Sequence, residues 1–189
     1  IAPEALKAGK RVVDLSGDFR LPPEVYEAWY RIPHKSPDLY REAVYGLPEL
    51  HREELKGARL VANPGCYVTA ATLALAPLAA EGVLKGAFVV GLGGVSGAGR
   101  EAEGTAFAEV NENLKPYKAG GTHRHIPEME RNLGRILAQG RRVRTHGEAR
   151  AVRLSFTPHL VPMTRGILVT AEAEVEGAWS QESLEALYR

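Results

Sequence analysis

The chain has 189 residues and a formal net charge of +1, with 44% hydrophobic and 25% charged residues. That length suffices for one domain, or one domain and part of another, and the composition is ordinary for a globular protein. No apolar run approaches the ~20 residues of a membrane helix. The basic run Arg141–Arg144 lacks interleaved aromatic residues, so neither a membrane nor a nucleic-acid partner is expected. A single cysteine excludes an internal disulfide framework and fits a reducing compartment, which predicts a cytoplasmic protein.

The pattern of apolar residues predicts short elements first and longer elements later in the chain. In chain order the predicted elements are strand Arg11–Leu15, helix Pro22–Tyr30, loop Ile32–Asp38, strand Ala58–Ala62, a helix from the Asn63 cap to about Glu81, buried strand Phe88–Leu92, loop Gly93–Gly104, helix Ile126–Gln139, strands Ala149–Phe156 and Ile167–Val175, and a last helix capped by Ser180. Apolar and polar residues alternate along Ile167–Val175, which indicates an antiparallel or mixed sheet with one buried face. The order predicts a partial α/β unit followed by an α+β unit.

The most informative stretch is Val61–Pro77, where the only cysteine, Cys66, stands at the change from a turn to a helix. Asn63 is a good N-cap residue, and Pro64 suits a first helical turn. Unpaired backbone N–H groups and the positive end of the helix dipole there favour a thiolate and can hold an oxyanion. A lone cysteine is more often a small buried hydrophobe, but a structural cysteine does not need this setting. Cys66 is therefore the candidate nucleophile.

His125 is the candidate acid–base residue, because an ordinary imidazole, with a pKa of ~6.5, exchanges protons at cellular pH. It comes just before the predicted helix that contains Pro127. His123 lies two residues earlier; the two rings share a face if the segment is extended and diverge if it turns. Both could instead merely cap the helix. H-x-H could also be half of a metal site, but no second ligand pair at zinc spacing is present, so we expect no metal.

Arginine has the planar fork that fits carboxylate and phosphate groups, and two arginines are candidates for binding an anionic substrate. Arg20 follows a predicted parallel strand, and ligand sites gather outside such strand ends. Arg124 lies between the two histidines, and Glu49 is a candidate for orienting a polar group. A glycine-rich loop could offer its backbone N–H groups as an anion-binding nest. Its candidate residues are Ser96, Gly97, Ala98 and Gly99.

Beyond these local arguments, Val61–Pro77 resembles the cysteine signature of the N-acetyl-gamma-glutamyl-phosphate reductases, the NADPH-dependent enzymes of arginine biosynthesis. Five other segments are similar to the same family in the same order. These are V-D-L-S-G-D-F-R at Val13–Arg20, Y-G-L-P-E at Tyr45–Glu49, G-V-S-G-A-G-R at Gly94–Arg100, G-T-H-R-H-I-P-E at Gly121–Glu128 and F-T-P-H-L-V-P-M-T-R-G at Phe156–Gly166. The resemblance spans nearly the whole chain.

The resemblance implies two domains: the tail of a Rossmann-type nucleotide domain at residues 1–65, and a glyceraldehyde-3-phosphate dehydrogenase-like catalytic and dimerisation domain at residues 66–189 with a mixed or antiparallel sheet. It implies NADPH-dependent reduction of N-acetyl-gamma-glutamyl phosphate to the semialdehyde, with phosphate release, through a thioester on Cys66. It assigns acid–base catalysis to His125 and substrate contact to His123. It also places Ser96–Gly99 beside the cofactor. We expect a homo-oligomer, dimer or tetramer, acting on a small acyl phosphate.

The family's glycine-rich dinucleotide turn has no counterpart near the start of this sequence. We therefore expect a fragment, truncated also at its C-terminus, that binds NADPH weakly or not at all by itself. Three alternatives remain open. The first is a reductase of a related acyl phosphate, either carrier-bound aminoadipyl phosphate or aspartyl phosphate. The second is a Cys–His hydrolase, which needs the same two residue types. The third is a non-catalytic assembly domain that dimerises through Ile167–Val175.

Overall fold

The described strands form two separate hydrogen-bonded sheets. One sheet lies in each of two units, Ile1–Gly65 and Cys66–Arg189. The computed structural model describes residues 1–98, 107–141 and 151–189. The predicted loop residues 99–104 and the first residues of the strand predicted at Ala149–Phe156 lie outside these ranges.

The first unit is built on a three-stranded sheet in which every strand is parallel to its neighbour, in the order β1-β3-β2. Its elements are α1 (Ala2–Lys7), β1 (Val12–Asp14), α2 (Pro23–Tyr30), a 3-10 helix (Pro37–Arg41), β2 (Val44–Tyr45), α3 (Pro48–Lys56) and β3 (Leu60–Ala62). Leu6, Phe19 and Leu60 form a buried cluster with Ala62. The loop predicted at Ile32–Asp38 is confirmed for its first residues, but the 3-10 helix already begins at Pro37.

The second unit is built on a four-stranded mixed sheet in the order β5-β6-β4-β7. Its elements are α4 (Cys66–Glu81), β4 (Leu84–Gly93), a 3-10 helix (Val95–Ala98), α5 (Phe107–Val110), β5 (Lys115–Pro116), α6 (Ile126–Ala138), β6 (Arg153–Leu160), β7 (Ile167–Val175) and α7 (Gln181–Leu187). Strands β4 and β6 run parallel, whereas β7 and β5 pair antiparallel with β4 and β6 respectively. A parallel α/β sheet followed by a mixed sheet confirms the predicted fold class.

Helix α4 is the central helix of the second unit, and it packs against α6 and the sheet. Its small and apolar side chains are buried on several sides, and it ends at Gly82, whose φ of 83° only glycine adopts without strain. The end of α6 lies close by: a Cβ added to Gly140 would stand 2.7 Å from the Cα atom of Gly82. The predicted stop at Gly82 is confirmed, because α4 ends at Glu81. The predicted apolar stripe of α6 is also confirmed, because Met129 and Leu133 are fully buried.

Strand β4 differs from its prediction as a buried strand. It runs over ten residues, and its side chains alternate between a buried and a more exposed face. Phe88 is 48% exposed, because it lies on the face of the sheet opposite Val89, which is fully buried. The alternation predicted for Ile167–Val175 is confirmed: its odd-numbered residues are half-buried, its even-numbered residues are exposed, and it pairs antiparallel with β4.

Candidate active site

Cys66 is the first residue of α4, and it is exposed. The predicted cap at Asn63 is wrong: the helix begins at Cys66, two residues later than that cap requires, and the side-chain amide of Asn63 donates to the carbonyl of Pro64 at 3.1 Å. The correction places Cys66 closer to the helix end. The first backbone N–H groups of an α-helix have no partner within the helix, so the thiol stands beside donors that favour negative charge.

Two tyrosine hydroxyls are linked by a hydrogen bond, and one of them belongs to Tyr67, the residue that follows Cys66 in α4. Tyr117 donates to the hydroxyl of Tyr67 at 3.4 Å, and Tyr67 donates to the carbonyl of His159 at 3.3 Å. Burial raises the pKa of each phenol, and negative charge on Cys66 raises both pKa values further. Both phenols keep their protons at neutral pH, and the chain of hydrogen bonds runs from Tyr117 through Tyr67 to the carbonyl of His159.

His123 and His125 both pack against Tyr67, and His123 also packs against Tyr117. The His123 and His125 ring centroids are 4.6 Å apart, and they lie 6.0 and 6.3 Å from the Tyr67 ring. The segment turns, yet the rings stay together, so the expectation that a turn would separate them is wrong. His125 occupies the N-cap position of α6 without a side-chain capping bond, which argues against a merely capping role for it.

His123 is buried and neutral. Burial lowers its pKa to about 4, and the nearby charges of Lys118 and Arg124 act in the same direction. Its Nδ1 atom accepts the backbone N–H of His125 at 3.1 Å, so the ring hydrogen belongs on Nε2. At neutral pH, His123 can therefore donate one hydrogen bond from Nε2, but it brings no positive charge.

The glycine-rich loop departs from its predicted role as a nest of free N–H groups. The N–H of Ser96 donates to the carbonyl of Thr164 at 3.1 Å, and that of Gly97 donates to the carbonyl of Gly94 at 3.2 Å. Both groups are already used in the fold, so the nest is wrong for these two residues. Ala98 ends the 3-10 helix, and Gly99 lies outside the described residues.

The remaining predicted residues fall in different places. Arg124 is exposed and belongs to the second unit, close enough to His123 to affect its pKa. Arg20 and Glu49 belong to the first unit. Arg20 is buried, and its guanidinium donates to the carbonyl of Leu15 at 2.7 Å; Glu49 is exposed in the first turn of α3.

Sequence reasoning missed Tyr67 and Tyr117. A signal in the sequence points to the first of them only. Tyr67 immediately follows the cysteine, so helix geometry places both in one turn. Tyr117 comes six residues before His123 and pairs with Tyr67 only through the tertiary fold, which leaves no periodic pattern in the sequence.

Within the described parts of the chain, no three His, Cys, Asp or Glu side chains are grouped so that they could hold a metal ion. The same residues include no helix long and apolar enough to cross a membrane.

Two family models match the chain. The semialdehyde dehydrogenase NAD-binding domain matches residues 1–58, and the semialdehyde dehydrogenase dimerisation domain matches residues 66–189. The chain belongs to the semialdehyde dehydrogenase family. Among solved structures it is similar to aspartate semialdehyde dehydrogenase II from Vibrio cholerae, with a TM-score of 0.67 and 19% identity over 98% of this chain and 55% of that one. The enzyme from Francisella tularensis matches with a TM-score of 0.65 and 13% identity, over 100% of this chain and 58% of that one. These likenesses show the fold.

Relatives of about half identity in sequence share one name. A protein of Symbiobacterium thermophilum named N-acetyl-gamma-glutamyl-phosphate reductase is 51% identical over 100% of this chain and 52% of its own length. A protein of the same name from Syntrophobacter fumaroxidans is 52% identical over 98% of this chain and 52% of its own length. The chain thus spans about half the length of the curated relatives it matches. The resemblance predicted from the motifs is confirmed.

Proposed function

We propose that the chain is part of an NADPH-dependent acyl-phosphate reductase that converts N-acetyl-gamma-glutamyl phosphate to N-acetylglutamate semialdehyde and phosphate. The observation that carries the proposal is the exposed Cys66 at the start of α4, next in the chain to Tyr67, whose ring contacts both His123 and His125. The names of relatives at about half identity support the substrate.

Cys66 is the nucleophile in this proposal. Its thiolate attacks the acyl carbon, a C–S bond forms, and the C–O bond to phosphate breaks with phosphate as the leaving group. Negative charge collects on the acyl oxygen after the C–S bond forms and before the C–O bond breaks. The first N–H groups of α4 are donors that can stabilise this negative charge, whereas the hydroxyl protons of Tyr67 and Tyr117 are already donated within the fold.

His125 is the acid–base residue in this proposal. When bound, the nicotinamide cofactor supplies the hydride that reduces the thioester. His125 gives a proton to the carbonyl oxygen as the hydride arrives, and takes it back as the C–S bond breaks and the aldehyde leaves. Its backbone N–H is held by the buried, neutral His123, which fixes the turn that carries the ring.

The other predicted site residues are proposed contacts of the substrate or of the cofactor. For the substrate we propose His123 through Nε2–H, Arg124 and Arg20 toward carboxylate and phosphate, and Glu49 as an orienting group. For the cofactor we propose the loop residues Ser96, Gly97, Ala98 and Gly99. Strand ends of a parallel sheet are the usual place for a dinucleotide, and the first unit has such a sheet. We propose residues 1–65 as the later part of the NADP-binding domain and residues 66–189 as the catalytic and dimerisation domain.

We infer that the protein is a cytoplasmic homo-oligomer, dimer or tetramer, assembled through the outer face of the second sheet. In register across β4 and β7, Phe88 lies opposite Glu172 and Leu92 opposite Leu168. Phe88 is 48% and Leu168 58% exposed, which leaves large apolar side chains in water on one face. The name of the matched dimerisation domain supports a second copy as the partner.

The test uses a chain of the relatives' full length. Phosphate-dependent reduction of NADP with N-acetylglutamate semialdehyde as the reductant would support the proposal. Turnover with aspartate semialdehyde in its place would support the related acyl-phosphate reductase. Hydrolysis of esters without any phosphate-dependent reduction would support the Cys–His hydrolase. Activity that survives Cys66→Ser would contradict covalent catalysis by this residue.

A further inference from the structure

Two glycines inside strand β4 need an explanation that backbone conformation does not give. Gly91 and Gly93 are paired in register with Pro158 and Leu160 of β6, and neither has a positive φ. A glycine in a strand interior weakens the strand, and often marks a place where another group approaches closely. Alanine would adopt the same backbone, so the reason has to be space.

The space is taken by the ring of Tyr67. A Cβ on Gly91 would stand 2.6 Å from its Cε1 atom, and a Cβ on Gly93 would overlap its hydroxyl oxygen. Phe156 forms the third side, with its ring centroid 5.3 Å from that of Tyr67. We call Gly91, Gly93 and Phe156 the tyrosine seat. Within it Tyr67 is 4% exposed, and its hydroxyl reaches the carbonyl of His159.

We propose that the tyrosine seat is a positioning device for the candidate nucleophile, in which bare backbone at Gly91 and Gly93 lets Tyr67 anchor the first turn of α4 and so fixes Cys66 relative to His123 and His125. The inference rests on the proposed function. One ring contacts strand β4, Phe156 of β6 and both histidines, and it belongs to the residue next to the cysteine. A shift of that ring therefore moves the thiol.

The experiment measures alkylation of Cys66 by iodoacetamide at about pH 6.5 and about pH 9.5, where a free thiol (pKa ~8.5) is mostly neutral and mostly ionised. The ratio of the rate at about pH 6.5 to the rate at about pH 9.5 reports activation of the thiol. Access of the reagent to the thiol affects both rates alike and cancels from this ratio. We expect Gly93→Ala to lower the ratio at least about fivefold, the scale of a favourable helix-terminus interaction. Gly57→Ala is the matched control, since nothing lies within 4 Å of its added Cβ, and its ratio should not change.

A double variant tests the cause. Adding Tyr67→Phe to Gly93→Ala deletes the atom that the new Cβ overlaps, and leaves the ring carbon Cζ at 2.9 Å, which a small shift relieves. We expect the ratio to return to within about twofold of Tyr67→Phe alone. A purely structural role for the glycine would change the melting temperature and leave the ratio alone. If Gly93→Ala does not fold, Tyr67→Leu, which empties the seat, should lower the ratio equally.

The outcomes separate the two proposals. A high ratio in the unmodified chain that Gly93→Ala and Tyr67→Leu both preserve would overturn the seat and leave the proposed function standing. A low ratio in the unmodified chain would count against the proposed nucleophile. Hydrogen exchange of the first turn of α4 then decides the seat: faster exchange in Gly93→Ala than in Gly57→Ala supports it, and equal exchange overturns it.

Discussion

The backbone N–H of His125 donates to the Nδ1 atom of His123 at 3.1 Å, and the two imidazole rings lie 4.6 Å apart. The buried ring of His123 is held neutral, whereas His125 is only half-buried at the start of α6. The pair therefore has a division of roles. His123 fixes the turn, and the half-buried His125 is the residue that we propose for acid–base catalysis.

Replacing His125, the less buried of the two histidines, should remove acid–base catalysis. In a chain of the relatives' full length, His125→Asn is expected to lower kcat at least ~100-fold, the lower end of typical acid–base contributions. Its melting temperature should change little, because the side chain makes no capping bond to α6. Steady-state kinetics with the acyl phosphate gives the measurement.

The matched control is His51→Asn, a histidine on α3 in the first unit whose ring faces the exposed Glu54 at 3.3 Å. It should retain turnover within about twofold, because its side chain is partly exposed and the proposed reaction assigns it no role. Near-normal turnover in His125→Asn would remove that residue from the mechanism.

His123 makes the fold sensitive to acid. Its folded pKa is about 4, below the ordinary ~6.5, so between these values the unfolded chain binds a proton that the folded chain resists. Stability from this residue is complete above about pH 6.5 and is lost as the pH falls toward 4. After allowance for solvent screening the loss is about 2 kcal/mol.

The measurement is the free energy of unfolding by urea for the unmodified chain and for His123→Asn, whose side-chain oxygen can still accept the His125 N–H and does not titrate. The difference between the two chains should change over about pH 6.5 to 4. A difference that stays constant with pH would mean that His123 is not held neutral.

Cys66→Ser should separate chemistry from folding. Cys66 is exposed, so exchanging sulfur for oxygen should change the unfolding free energy by no more than about 0.5 kcal/mol. Reductase activity of the full-length chain should fall to background, because a serine hydroxyl is a far weaker nucleophile without a dedicated base. A loss of activity accompanied by an equal loss of folded protein would be no support for catalysis.

The outer sheet face gives a test of assembly. Leu168→Asp places a charge beside Leu92 on the face proposed as the interface, and should shift the chain toward monomer in sedimentation velocity. Ile32→Asp is the control, because Ile32 is similarly exposed, at 51%, and lies on a loop of the first unit. If the unmodified chain and Leu168→Asp both sediment as the same oligomer, the interface lies elsewhere.

Much of the fold follows from local signals in the sequence. The apolar stripe from Ile126 to Leu137 and the alternation of Ile167–Val175 each record one periodicity, so helix α6 and strand β7 are predictable. The prediction of β4 as a buried strand is wrong, because its short apolar run does not reveal that Phe88 faces out. Burial on that face depends on which neighbours cover the sheet, and no local pattern encodes them.

The site is predictable in its reactive residues and less so in their surroundings. Cys66 and the two histidines stand out by residue type and by their place at helix starts. The tyrosine pair and its glycine seat join segments far apart in sequence, so only the tertiary fold brings them together. The sequence predicts free N–H groups at Ser96 and Gly97, but both donate to backbone carbonyls in the folded chain.

The most direct test of the account is the rate of iodoacetamide alkylation of Cys66 against pH in the unmodified chain, read by intact mass. Cys66 is the only cysteine, so every added mass reports on it. The account predicts fast alkylation that persists well below the ~8.5 at which a free thiol ionises. Slow alkylation that rises only near that pH, both here and in a chain of the relatives' full length, would contradict an activated nucleophile at the start of α4.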